Sequence, residues 1–135
     1  MDIDLIFNGY NRSVAVTRCS EGIGKYVFQD GRFRLFAYVK VLLEPDGELQ
    51  FRSMLSWEVD PSKIPFRFLD GVLKGIKDAF FGNSSPGTHL IKTRVRVVDG
   101  AFDETSSASG YAIAARMAMQ EALSANTLEV GPNAA

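Results

Sequence analysis

The residues able to do chemistry are few, and their spacing decides against most of it. Glu21-Gly22-Ile23-Gly24-Lys25-Tyr26 has the glycines and the lysine of a phosphate loop. Such a loop needs a glycine five residues ahead of its Gly-Lys pair, and a Ser or Thr after the lysine to hold magnesium. Cys19 and Tyr26 stand at those positions, so neither GTP nor ATP binding is expected. His89, the only histidine, opens a strand-like segment, where a structural role outweighs a catalytic one. Asp99, Asp103 and Glu104 crowd one loop. Carboxylates so gathered can hold a hard cation, but a solvated, turn-forming acidic loop accounts for them better, and no metal is expected. Ser106, Ser107 and Ser109 lack a histidine partner that would make one a nucleophile; capping of a following helix explains them. With Cys19 as the only cysteine, an intrachain disulfide and a thiolate zinc site are excluded. The expectation is a non-enzyme without cofactor.

One constellation remains. If its strands alternate regularly, Arg34, Phe36, Tyr38, Lys40, Arg52, Lys92, Arg94 and Arg96 point to one sheet face. Basic side chains neutralise phosphates and interleaved aromatic rings stack on bases. The same pattern also describes a merely solvated face, and a net charge of −1 gives no global attraction to nucleic acid.

The elements that must position these residues follow from periodicity. Residues 1–10 alternate weakly and can add an edge strand; 13–19 are β-branched and strand-like; 20–25 form a Gly-rich turn. Residues 26–44 are a strand, an interruption at Asp30-Gly31, and a long strand whose inner side is Leu35, Ala37, Val39, Val41 and Leu43. The turn at Glu44-Pro45-Asp46-Gly47 leads to a strand over 49–57, with Leu49, Phe51, Leu55 and Trp57 inward, so Val41 to Phe51 reads as a hairpin. Leu69, Val72, Leu73, Ile76 and Phe80 make one helical stripe beginning near Pro65. Residues 89–98 alternate as a half-buried strand that turns at Asp99-Gly100. An alanine-rich helix follows over 107–125, capped by Ser106 or Ser107, and the tail GPNAA frays. Leu35, Val39, Val41, Phe51, Leu69, Val72, Ile76, Val95, Val97, Ile113 and Met117 should share one core. The whole is one domain over 1–135, an α+β two-layer sandwich in the order β-β-β-α-β-α, with both helices on one sheet face and the other face open or covered by something outside this chain. The N-terminus is acidic with too short an apolar run for a signal peptide, and no stretch approaches the ~20 residues of a membrane span. A cytoplasmic location fits.

Three ordered blocks stand out between residues 14 and about 130. The first is YVFQDGRFRLFAYVKVLLEP, with Gln29, Gly31, Phe36, Val39, Glu44 and Pro45; the second is IPFRFLDGVLKGI, with Ile64, Pro65, Phe68, Leu69, Val72, Lys74, Gly75 and Ile76. The third is VVDGAFDETSSASGYAIAARMAM, with Asp99, Gly100, Phe102, Ser106, Ser107, Ile113, Ala114, Ala115, Met117 and Ala118. With these residues in step, the chain resembles domain IV of elongation factor G and of the related ribosome-protection proteins. The resemblance implies a ribosomal-protein-like fold with a left-handed β-α-β crossover, a ribosomal or RNA partner, and a non-catalytic tip domain whose GTPase lies elsewhere. Two tip loops depart from the pattern. Bulky residues replace glycines in Gly31-Arg32-Phe33-Arg34-Leu35, and Asp99-Gly100 begins a shortened loop with Asp103 and Glu104 where the family has histidine. RNA or ribosome binding through Arg32, Arg34, Lys40, Arg52, Lys92, Arg94 and Arg96 is therefore the leading expectation. A protein-interaction or self-association module, using Phe36 and Tyr38, is the alternative.

Overall fold

The computed structural model describes residues 1–7, 12–80 and 88–131. In chain order these form β1 (Asp2–Leu5), β2 (Arg12–Val16), β3 (Ser20–Asp30), β4 (Phe33–Pro45), β5 (Ser53–Trp57), α1 (Leu69–Lys77), β6 (Thr88–Leu90), β7 (Thr93–Ala101), α2 (Ala108–Ser124) and β8 (Leu128–Val130). The main sheet runs β1-β5-β7-β4-β3, and a smaller one β6-β2-β8. The expected β-β-β-α-β-α order is met by β3-β4-β5-α1-β7-α2, and β1 is the edge strand anticipated at the N-terminus. Val14, Val16 and Leu90 of the small sheet join the same core as the main sheet and both helices.

Alternation in β4 works as read: Ala37, Val39, Val41 and Leu43 are fully buried. In α1, Leu69, Val72 and Ile76 are buried, as is the stripe Tyr111, Ala114, Ala115, Ala118, Met119 and Ala122 of α2. Small residues then let backbones meet. A Cβ on Gly71 or Gly75 of α1 would lie 2.3 or 2.2 Å from the carbonyl oxygen of Ala108 or Ala112. One on Gly22 or Gly24 of β3 would lie 1.8 or 1.7 Å from that of Ala118 or Ala114. Helix α2 thus packs between α1 and the β3–β4 part of the sheet.

Several expectations fail for the same reason: distant chain segments decide. Residues 20–25 are strand, not turn, because Gly22 and Gly24 admit α2 rather than break the chain. Val41 to Phe51 is no hairpin. Strand β7 inserts between β4 and β5, antiparallel to β4 and parallel to β5, so β5 reaches β7 by a crossover through α1. The stretch before β5 is a 3-10 turn (Gly47–Leu49), which leaves Phe51 exposed. A second 3-10 turn (Phe66–Phe68) delays α1 beyond Pro65. Residues 89–98 divide at Lys92, whose φ of 53° ends β6 before β7 starts. Asp99-Gly100 lies inside β7, past a register shift opposite Lys40 and Val41. Ile113 and Met117 are exposed and Leu35 half-buried. Of the tail, Gly131 donates its N–H to the Ser13 carbonyl next to β8, and 132–135 lie outside the described residues.

Candidate nucleic-acid interface

Cross-strand register fixes what shares the open face. Glu44 and Leu42 of β4 stand beside Arg94 and Arg96 of β7, which stand beside Met54 and Ser56 of β5, with Asp4 and Asp2 of β1 at the far edge. Lys40 stands beside Asp99, and Tyr38 beside Ala101. Arg34, Phe36, Tyr38, Lys40, Arg94 and Arg96 therefore do share a face. Lys92 precedes β7 and Arg52 precedes β5, so neither extends the row as a strand residue.

The face is charge-matched. Arg96 makes a two-pronged contact with Glu58 at 2.7 and 2.9 Å and approaches Glu44 at 3.6 Å. Arg94 meets Asp2 at 3.3 Å and Asp46 at 3.4 Å; Lys40 meets Glu21 at 3.3 Å; Arg52 meets Asp4 at 3.6 Å. The Arg96 guanidinium holds the Glu58 carboxyl below its usual range, and Glu58 in turn raises Arg96. A phosphate reaching these cations would compete with carboxylates already in place, and the acidic partners would repel it.

The end of the sheet where β3 turns into β4 differs. Phe28 and Phe33, 42 and 57 % exposed, meet edge to face at 6.0 Å. Arg34 lies over the Phe36 ring at 5.8 Å and reaches Asp103 at 3.6 Å. Beyond Asp103, Arg67 lies over Phe68 at 4.6 Å and Phe102 at 5.7 Å, next to exposed Phe66. Among the described residues, Arg32 and Arg67 make no ion pair. The Arg34–Asp103 contact links the β3–β4 hairpin to the loop after β7, and Arg67 with Phe102 links that loop to the 3-10 turn before α1, while Phe28 and Phe33 lie on the helix side of the hairpin. Sequence reasoning missed Phe28, Phe33, Phe66 and Arg67; the signal was local, two phenylalanines flanking an arginine in Phe66-Arg67-Phe68 and again in the mixed run 32–36.

The residues shared with the family blocks hold this end in place. Gly100 has no room for a side chain, since a Cβ would lie 2.3 Å from the Ile64 side chain. Asp99 accepts from Lys63 at 2.8 Å, which lowers its pKa and raises that of Lys63. The Ser106 hydroxyl donates to the Phe36 carbonyl at 2.7 Å and accepts from the Asp103 N–H, tying the loop to β4. Ser107, not Ser106, caps α2 by accepting from the Gly110 N–H. Buried Tyr111 donates to the Ala101 carbonyl at 2.6 Å, and burial pushes its phenol up to about 12. Asp103 is bonded by the Thr105 hydroxyl, its largest stabilising contact, and faces Arg34, so its charge is partly cancelled. Glu104 is the exposed acid of the loop. Asp99, Asp103 and Glu104 do not converge: the described residues show no cluster of three potential metal ligands. His89 sits in β6, opposite Ser13. No helix among the described residues is long and apolar enough to cross a membrane.

These features define an α+β domain with an aromatic and arginine-bearing tip. Elongation factor G of Thermotoga petrophila is 30% identical over 110 residues, covering 80% of this chain and 16% of that protein. Elongation factor G of Mycoplasma pneumoniae is 30% identical over 104 residues, covering 76% of this chain and 15% of that protein. A solved structure from Thermus thermophilus superposes with a TM-score of 0.77 at 22% identity, over 93% of this chain and 18% of that chain. No family model matches. The chain resembles elongation factor G over most of its own length and has the α+β fold expected from the resemblance to that factor's domain IV; it spans under a fifth of the relatives it matches.

Proposed function

We propose that this chain is a translation-associated RNA-binding domain that contacts ribosomal or ribosome-bound RNA through its tip, without catalysis. The observation that carries this reading is the set of exposed rings Phe28, Phe33, Phe66 and Phe102, with Arg67 over Phe102 and, on the other face of the β3–β4 hairpin, Arg34 over the half-buried Phe36. Rings at such a site stack on unpaired bases, and the arginines add phosphate and cation–π contacts. The sheet face contributes little, because its cations already have carboxylate partners. Similarity to elongation factor G supports the translation setting. Bulky Arg32 and Phe33 replace flexibility at the turn with stacking surface, so the tip grips RNA by side chains rather than by close backbone approach.

The test is co-sedimentation with ribosomes and binding to a single-stranded RNA oligonucleotide. Phe33→Ala and Phe102→Ala should each weaken RNA binding about tenfold, the scale of one lost base stack. Wild-type protein that binds neither ribosome nor RNA at low salt would overturn the proposal.

A further inference from the structure

Helices α1 and α2 meet backbone to backbone, and the valley between them on their solvent side stays unfilled. Gly71 lies against the Ala108 carbonyl and Gly75 against that of Ala112, so the helices run parallel with no side chain wedged between them. The result is an open, mostly apolar trough of about 530 Å³, floored by Gly71, Ala108 and Ala112. Ile113 lines it and is 37% exposed; Met117, one helical turn on, is 42% exposed. The walls carry charge in a fixed order. Asp70 stands at the end where both helices begin, and Arg116 stands eight residues beyond Ala108, roughly 12 Å further along the trough. On the α1 wall between them, Lys74 and Asp78 satisfy each other at 3.3 Å. Asp70 and Arg116 form no ion pair among the described residues.

We propose that this trough docks one amphipathic α-helix of a protein partner, lying antiparallel to α1 and α2. Charge selects both the occupant and its direction. An acidic residue in the partner's first turn meets Arg116, and a basic residue two turns later meets Asp70. Acid near the N-terminus and base near the C-terminus are also what the helix dipole favours, so the same two residues stabilise the partner helix itself. Antiparallel alignment opposes its dipole to those of α1 and α2. Apolar residues between the two charges fill the valley beside Ile113, in the pattern i, i+3, i+4, i+7 by which a helix anchors in a groove. The small residues of the floor let that ridge come close. A nucleic acid is disfavoured here, because Asp70 and Asp78 would repel its phosphates. A second copy offering α1 antiparallel to α1 across the trough would set Asp70 against Asp78 and Lys74 against Lys74. This inference goes beyond the proposed RNA contact and does not depend on it.

The probe is a fluorescein-labelled, alanine-rich helical peptide with Glu, Leu, Leu and Arg at i, i+3, i+4 and i+7, titrated with the whole chain and read by anisotropy. It should bind saturably, and a peptide with Glu and Arg exchanged should bind about tenfold more weakly. Arg116→Glu should weaken the first peptide by about tenfold, and Asp70→Arg combined with Arg116→Glu should restore binding to the exchanged peptide. Ile113→Gln should weaken both peptides. Asp70, Ile113 and Arg116 are all exposed, and circular dichroism checks that each variant is folded. No binding of the first peptide at the highest attainable concentration would overturn the proposal. So would equal affinity for the two peptides, or binding indifferent to Arg116→Glu. A wild-type dimer that Ile113→Gln abolishes, seen by sedimentation velocity, would give the trough to a second copy and overturn it as well.

Discussion

Gly22→Ala tests the packing on which the domain rests. The added methyl would begin 1.8 Å from the Ala118 carbonyl oxygen, where ordinary contact needs about 3.4 Å. Helix α2 would have to retreat from β3 by about 1.6 Å. It cannot do so freely, because Tyr111, Ala114, Ala115, Ala118, Met119 and Ala122 are all fully buried along it. The obstruction is backbone, so no rotamer change relieves it. Overpacking of this kind costs about 3 kcal/mol or more, the upper end of the usual range. For a chain of this size that lowers Tm by roughly 10 °C. Gly47→Ala is the control: nothing lies within 4 Å of its Cβ position and its φ is not in the left-handed region, so its effect should stay within about 1 kcal/mol. Thermal melts and urea titrations of both variants read the difference. A Gly22→Ala protein within about 1 kcal/mol of wild type would refute the close β3–α2 approach.

Other consequences follow from single contacts. Tyr111→Phe removes the bond to the Ala101 carbonyl and should cost about 1 kcal/mol. Because the folded state holds the phenol protonated up to about 12 against an ordinary 10.0, wild-type stability should fall as pH rises between those values, and Tyr111→Phe should lose that part of the decline. Ser107→Ala should cost about 1 kcal/mol by uncapping α2. At the acid end, Glu58, Asp99 and Asp103 all titrate below their ordinary values. The stability they contribute is complete above about pH 5 and is lost as pH falls through their lowered pKa values, which an acid titration by fluorescence measures. Arg96→Gln leaves Glu58 and Glu44 without their guanidinium and should cost about 1 kcal/mol while leaving RNA affinity unchanged.

The sequence made legible whatever depends on short-range periodicity. Alternation in β4 identified Ala37 to Leu43 as core, and the helical stripe identified Val72 and Ile76. The basic residues of β4 and β7 were rightly put on one face. What periodicity cannot carry is the partner. Gly22 and Gly24 look like breakers until α2 is laid across them. The β4–β5 hairpin looked sound because nothing local shows that β7 intervenes. In α2 apolar residues occur on every side, so Ile113 and Met117 could not be told from Ala114 and Ala118 by spacing. The basic face looked free because its carboxylates lie far away in the chain: Asp2 for Arg94, Glu58 for Arg96. Arg67 and Phe102, from different blocks, meet only in the fold.

The most direct test of an RNA-binding tip is the salt dependence of affinity for a fluorescent single-stranded RNA, read by anisotropy at several salt concentrations. Each phosphate contact removed lowers the salt slope by about one unit. Arg32→Gln and Arg67→Gln should each weaken binding and flatten that slope, while Arg94→Gln and Arg96→Gln, whose charges are already matched, should leave it as in wild type. Unchanged slopes for the two tip variants, with a loss at Arg94 or Arg96, would contradict the account.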